Sequence, residues 1–296
     1  MNSVTDDRSN ASEPTVALAL GGGGARGFSH IHILEALDEL GVQPSIIAGS
    51  SIGSLMGAAY ASGMTGRDLH EYTLALVGNR KEVLAKFWQT RPAKFSDFVD
   101  GGFRFGQFNV EKIVKAFMPD TFKSTFEELR IPLLVSATDF YGHQCTFFDS
   151  GDLYSAVGAS SAIPAVFKPV TRGERVYIDG GIFNPVPYDV LEGKADIVVG
   201  VDVIGAPIGD PSATPTAIES LYGSSQLMMQ SMMQLKLAQS PPDVFVRPPV
   251  SSFRVMDFFK AKMILEATKS VKDDFKHKLE AAIEARRDAP AITLAG

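Results

Sequence analysis

Three short stretches of this sequence carry residue types that could act together on an acyl group. Gly21-Gly22-Gly23-Gly24-Ala25-Arg26-Gly27 offers a run of backbone amides, Gly49-Ser50-Ser51-Ile52-Gly53 sets serines between glycines, and Asp179-Gly180-Gly181 offers a carboxylate. A serine hydroxyl attacks an ester only when a base takes its proton and when donors receive the negative charge that forms on the carbonyl oxygen. In that order the stretches supply the donors, the nucleophile and the base of a serine hydrolase.

The elements around them must place them together. Gly-x-Ser-x-Gly carries chemical meaning at a strand–turn–helix junction, where the serine projects from a tight turn. Ile46-Ile47-Ala48 reads as a strand and Ser51 to Ala61 as a helix of small residues ended by Gly63, so Ser51 falls on the turn, with Ser50 and Ser54 beside it. The N-terminal dipole of the following helix favours developing negative charge there.

The glycine run has a rival reading. Gly22-x-Gly24-x-x-Gly27 after the strand Val16–Leu20 is formally a dinucleotide fingerprint. That motif needs an acidic residue at the end of a second strand, about 20 residues on. Glu39 lies at the end of a helix instead, and the next strand runs into the serine turn. Amides at a helix N-terminus serve an oxyanion as well as a phosphate. Arg26 stands in the first turn of a helix, where the dipole opposes a cation. It is expected either to pair with a surface carboxylate or to hold the glycine loop or face an anionic headgroup.

The base is less clear from residue types alone. Asp179 follows Arg175-Val176-Tyr177-Ile178, but Asp-Gly is also a hairpin signal. Asp139 and Asp202 close expected strands of their own and are rival bases. The usual Ser–acid–His order would need a histidine after Asp179, and only His277 remains, on the polar side of the last helix. His30 and His32 point to opposite sides of one helix, and no cluster of Cys, His and carboxylates has metal-site spacing.

Around these motifs, short apolar strands alternate with helical spacing. Val16–Leu20, Pro132–Ala137 and Ile197–Val201 read as buried strands, and Ile31, Leu34, Leu37 and Leu40 as a helix ended by Gly41. The pattern is α/β with a mostly parallel sheet, in which sites collect beyond the carboxyl ends of the strands. Residues 1–14 are polar and aperiodic and read as a disordered tail; 15–220 read as the catalytic domain and 221–296 as a helical extension packed on it. In that extension Leu221, Met228, Met232 and Leu235 fall on one helical face. Phe259, Met263, Val271, Phe275, Leu279 and Ile283 are expected along one long amphipathic helix. Phe87, Trp88, Phe95, Phe98, Phe103, Phe105 and Phe108 have no clean period, and read as a satellite core or an apolar cover beside the site.

With 296 residues, 45% of them hydrophobic, the chain can bury a large core. Lys+Arg 28 against Asp+Glu 34 gives a formal charge of -6, which does not favour nucleic acid. Cys145 is the one cysteine and reads as a small apolar residue. The start lacks the pattern of a signal peptide and no stretch reaches the roughly 20 apolar residues of a membrane span. A cytoplasmic protein, or one peripheral at a membrane, is expected.

Leu18-Ala19-Leu20-Gly21-Gly22-Gly23-Gly24-Ala25-Arg26-Gly27, Gly49-Ser50-Ser51-Ile52-Gly53, Ala159-Ser160-Ser161-Ala162-Ile163-Pro164 and Asp179-Gly180-Gly181 together resemble the patatin-like phospholipases, in matching order from about Thr15 to Val203. The resemblance implies a three-layer α/β/α sandwich and a Ser-Asp dyad, with Ser51 as nucleophile and Asp179 as base. It implies an oxyanion hole at the amides around Gly22, Gly23 and Gly24, with Arg26, Gly27, Gly49, Gly53, Gly180 and Gly181 in support. It calls for no cofactor and no metal. Its substrates are fatty acyl esters of phospholipids or lysophospholipids; an acyltransferase, an acyl-thioesterase or a non-catalytic lipid binder are the alternatives. One departure is His32, where the family usually has a small residue.

Overall fold

The computed structural model describes residues 13–81, 83, 85, 108–210 and 212–288. The stretch from Phe87 to Phe105, which holds most of the aromatic series, lies outside the described residues, as does the tail through residue 12.

The strands are β1 Val16–Leu20, β2 Ile46–Ser50, β3 Leu133–Asp139, β4 Gln144–Phe148, β5 Val170–Arg172, β6 Arg175–Ile178, β7 Ile197–Val201 and β8 Val244–Val246. The helices are α1 His30–Leu40, α2 Ile52–Ala61, α3 Gly66–Gly78, α4 Val110–Phe117, α5 Leu153–Ser160, α6 Ala217–Gln239, α7 Ala261–Thr268 and α8 Val271–Asp288. All eight strands form one sheet in the order β5-β6-β3-β2-β1-β7-β8, with β4 also paired to β3. β3, β2, β1, β7 and β8 run parallel, whereas β4 and β6 are antiparallel to β3.

The central strand explains the layers. Along β1, Val16, Leu18 and Leu20 enter the larger core, and Ala17 and Ala19 enter the smaller one. Successive side chains of a strand alternate between faces, so a sequence of large and small apolar residues makes one thick and one thin side. The thick side is covered by α1 to α5, α7 and α8; the thin side is covered by α6 and the segment from Val186 to Leu191. Leu18, Leu20, Ile31, Leu34 and Ile47 are fully buried, each contributing about 1.5–3 kcal/mol by removal from water.

His32 explains its own departure from a small residue. Its Nε2 lies 2.8 Å from the carbonyl of Leu265 on α7, and its Nδ1 lies 3.2 Å from Glu35 Oε2. The imidazole thereby ties α1 to α7. His30, on another side of α1, meets Gly21 O at 2.9 Å through Nε2.

One expectation about the C-terminal helices is corrected. The face of α6 that carries Leu221, Met228 and Leu235 is exposed, while Gln226 and Met233 are buried. Apolar residues occur all round this helix, so their spacing was ambiguous. Its inward side also carries polar groups with buried tasks: Lys236 Nζ donates to Asn184 Oδ1, Val186 O and Asp189 Oδ1. The expected long helix is two, α7 and α8, separated at Lys269 and Ser270. Val271, Phe275 and Leu279 are buried as expected, but Phe259 and Met263 are exposed. A further strand, β8, precedes them and extends the sheet beside β7.

Candidate active site

Register brings Ser51 to Asp179. β2 lies along β3 from Ile47 to Ser50, opposite Leu133 to Ser136. β4 occupies the other edge of β3, so β6, which pairs with Thr138 and Asp139, must use the β2 edge beyond the point where β2 stops. β2 runs toward the gap and ends at Ser50; β6 runs the opposite way and ends at Ile178. The next residue of each strand enters the gap, and the Ser51 hydroxyl donates to Asp179 Oδ2 at 2.7 Å.

The turn at Ser51 is tight. Ser51 has φ 51° and ψ -123°, in a region that side chains rarely adopt, and α2 begins at the next residue. Its backbone N–H donates to Ser160 Oγ at 2.8 Å. A Cβ at Gly53 would lie 2.1 Å from Leu20 O, and one at Gly49 would lie 2.5 Å from Ser54 Cα, so α2 can approach β1 and β2 this closely only with glycines there. The Ser160 contact was not anticipated from the sequence, although the stretch from Ala159 to Pro164 was singled out.

Asp179 is enclosed. Its Oδ1 accepts from Gly181 N at 2.8 Å, Thr138 Oγ1 donates to its carbonyl, and burial raises its pKa to about 6 despite the bonds from Ser51 and Gly181. Gly180 packs on Ser136, where a Cβ would come within 2.3 Å of the carbonyl oxygen. The rival carboxylates are engaged elsewhere. Asp139 binds Arg175 at 2.6 Å and Gly142 N at 2.8 Å, and these partners lower its pKa, the Gly142 amide most. Asp202 binds Arg247 Nε and Ile204 N. His277 is exposed on α8.

The glycine loop passes over the serine, with Gly22 placed so that a Cβ would lie 3.2 Å from Ser51 Cβ. Several of its amides are occupied. Gly21 N donates to Val201 O, Gly22 N to Pro185 O at 2.9 Å and Ala25 N to Val255 O at 2.8 Å. Among the described residues, the Gly23 and Gly24 amides meet no acceptor, nor does the Ile52 amide at the start of α2. Gly24 has φ +60°, and a Cβ there would strike Val255 O; Gly23 lies as close to Val203 O, and Gly27 packs on Ile52.

Arg26 neither pairs with a surface carboxylate nor faces outward. It is buried, and its guanidinium donates to the carbonyls of Phe253, at 2.7 Å, and Ile204. Burial lowers its pKa to about 10, with Asp257 acting in the opposite direction. The arginine fastens the glycine loop to two neighbouring segments, 202–205 and 253–257.

Two cavities meet at Ser51. The smaller, of about 90 Å³, is lined by Gly22, Gly23, Asp179, Ile182, Tyr222 and Gln226 among others. The larger, of about 330 Å³, runs from Ser51 between α2, α3 and α4 and is almost wholly apolar. Phe108, the described member of the aromatic series, lines it.

The sequence comparisons agree with this geometry. Residues 18–192 match the family model described as patatin-like phospholipase. An NTE family protein of Mycobacterium tuberculosis is 32% identical over 224 residues, covering 74% of this chain and 58% of its own. Human patatin-like phospholipase domain-containing protein 6 is 28% identical over 85% of this chain and 19% of its own. A protein of Coccidioides immitis named lysophospholipase NTE1 is 25% identical over 90% of this chain and 18% of its own. The chain thus spans 58% of the length of the mycobacterial relative and a much smaller share of the other two. With the family model covering the glycine loop, the serine turn and the buried aspartate in one continuous match, the chain belongs to the patatin-like phospholipase family.

Proposed function

We propose that this protein hydrolyses fatty acyl esters of phospholipids or lysophospholipids through an acyl-enzyme formed on Ser51. The observation that carries this reading is the 2.7 Å bond from the Ser51 hydroxyl to a buried carboxylate. In the proposed first step, Ser51 Oγ bonds to the ester carbonyl carbon as its proton passes to Asp179 Oδ2. The carbonyl oxygen becomes an oxyanion facing the unoccupied amides of Gly23 and Gly24, with Ile52 N at the helix start as a third donor. Because Gly22 N is already bonded to Pro185 O, Gly22 acts through its lack of a side chain.

Collapse of this intermediate breaks the bond to the alcohol, which leaves with the proton from Asp179. A water then attacks the acyl-enzyme, gives its proton to Asp179 and releases the fatty acid as Ser51 recovers its own. An ordinary carboxylate is a weak base; with its pKa raised to about 6, Asp179 is a stronger one and is still mostly ionised at neutral pH. The names of the human and fungal relatives support a lipid substrate. Among the described residues no helix is long and apolar enough to cross a membrane, and contact with lipid is proposed to be peripheral.

Labelling with a fluorophosphonate tests the nucleophile: a single adduct on Ser51 is expected, and none in Ser51→Ala. Incubation with a lysophospholipid and with an acyl-thioester, followed by product analysis, separates ester hydrolysis from thioester hydrolysis and transfer. Retention of full esterase activity by Ser51→Ala would overturn the reading.

A further inference from the structure

Gly21 and Gly22 share one peptide group, and both of its polar ends are held. The carbonyl, Gly21 O, lies 2.9 Å from His30 Nε2 at the start of α1. The N–H, on Gly22, donates at 2.9 Å to Pro185 O, on the segment that follows Asp179. In a trans peptide these groups point in opposite directions, so the plane is clamped from two sides. Between two glycines a peptide plane can turn over without steric penalty from a Cβ. Neither residue has room for a side chain: a Cβ on Gly21 would lie 2.7 Å from Val201 O, and one on Gly22 would lie 3.2 Å from Ser51 Cβ. Sterics therefore fix the residue types and leave the orientation of the plane to its hydrogen bonds.

The state of the imidazole decides which orientation they select. His30 is fully buried, and its Nδ1 meets no partner among the described residues. Burial lowers its pKa to about 4, with the Gly21 bond acting in the opposite direction, so the ring is neutral at pH 7. A neutral imidazole has one N–H and one lone pair. A carbonyl can only accept, so the proton sits on Nε2 and Nδ1 is bare. Turning the plane over would set Gly21 O against Pro185 O and the Gly22 N–H against the Nε2–H, like against like at both ends. With the proton on Nδ1 instead, a bare Nε2 would accept from the turned N–H, and that end would favour the other orientation.

We propose that His30, as the Nε2–H tautomer, is a positioning residue for the reaction: by fixing the Gly21–Gly22 peptide it sets the direction in which the next amides, those of Gly23 and Gly24, meet the oxyanion. This rests on the reading that Ser51 is acylated and that those amides are donors. His30 lines neither cavity at Ser51, and its influence passes through the glycine loop. Through Pro185 the same peptide joins the loop to the segment of Asp179, so one group ties the donors to the base.

The test compares His30→Gln with His30→Asn. Glutamine carries its amide nitrogen near the place of Nε2, asparagine near that of Nδ1, so only glutamine can serve Gly21 O. With nitrophenyl butyrate, His30→Asn is expected to lower kcat by about tenfold to a hundredfold with little change in KM, and His30→Gln to recover most of that loss. Both variants exchange a buried ring for an amide, so a purely structural role would lower kcat and melting temperature alike in the two. A second readout is the affinity of a trifluoromethyl ketone. Ser51 Oγ adds to its carbonyl carbon, the C=O π bond opens to an oxyanion, and the serine proton passes to Asp179. This affinity is expected to follow kcat across wild type and both variants, whereas the corresponding secondary alcohol, which cannot form the oxyanion, binds all of them equally. Nitrogen NMR of the wild-type ring reads the tautomer directly and is expected to show Nε2 protonated and Nδ1 bare at pH 7. An Nδ1–H tautomer, or equal kcat and equal ketone affinity in the two folded variants, overturns the proposal. Failure of the wild type to hydrolyse the ester or bind the ketone, with the Nε2–H tautomer present, overturns the hydrolase reading and leaves the peptide clamp standing.

Discussion

Ser160 Oγ lies 2.8 Å from the backbone nitrogen of Ser51 and accepts its hydrogen. Both residues are buried, and Ser51 has φ 51°, a conformation costing on the order of 1–3 kcal/mol. The bond from α5 therefore holds a strained turn in place from behind. Ser160→Ala leaves that N–H without a partner, at a cost of about 1–3 kcal/mol. A lower melting temperature and a slower rate of fluorophosphonate labelling at Ser51 are expected, with KM changed less than kcat. Labelling at the wild-type rate would show that the turn holds its shape without Ser160.

Substitution of the dyad should separate Asp179 from the other carboxylates. Ser51→Ala and Asp179→Asn are each expected to lower kcat by about a thousandfold or more in folded protein. Asp139→Asn and Asp202→Asn are expected to cost far less activity, since those groups bind Arg175 and Arg247. Measured kcat values on a soluble short-chain ester decide the matter. Near-wild-type turnover by Asp179→Asn would remove it from the role of base.

The pH dependence follows from the same carboxyl group. Its folded pKa, about 6, lies above the ordinary 3.8, so the fold favours the protonated form. As base it must be ionised, and kcat/KM is expected to rise with pH through about 6. Stability moves the other way: the relative benefit of the neutral acid is complete below about 3.8 and is lost as pH rises through about 6. Asp179→Asn removes this penalty. Its melting temperature should exceed that of the wild type by more at pH 8 than at pH 4. A constant difference across that range would contradict the assigned burial cost.

Much of the site was legible because its parts are local. The apolar run Val16–Leu20, the serine turn before α2 and the end of β6 at Ile178 each have a short-range signature, and the strands carry them to the same end of the sheet. What brings Asp179 to Ser51, 128 residues apart in sequence, is not local: it depends on β6 taking the edge of β3 where β2 stops. Composition could not choose among Asp139, Asp179 and Asp202; in space Asp139 and Asp202 pair with Arg175 and Arg247, while Asp179 lies beside Ser51. On α6 the apolar residues surround the helix, so Leu and Met spacing alone does not tell which side, that of Gln226 and Met233, is buried. Strand β8 is only three residues long and offered too little pattern to find.

The remaining prediction concerns Arg26, whose guanidinium bridges the glycine loop to Phe253 O and Ile204 O. Its removal would leave the Phe253 carbonyl without this donor and would loosen the loop that carries Gly23 and Gly24. Arg26→Ala is expected to cost on the order of 2–4 kcal/mol. Arg26→Lys should recover part of that, because an ammonium can reach one carbonyl but cannot reproduce the planar fork. Both variants are expected to reduce kcat more than KM on a short ester, since the proposed oxyanion donors shift while the apolar cavity along α2 stays in place. Melting temperatures and kcat measured for wild type, lysine and alanine in that order should descend together. If Arg26→Ala kept wild-type kcat while melting lower, the arginine would serve the fold alone, and the glycine loop would hold its own geometry.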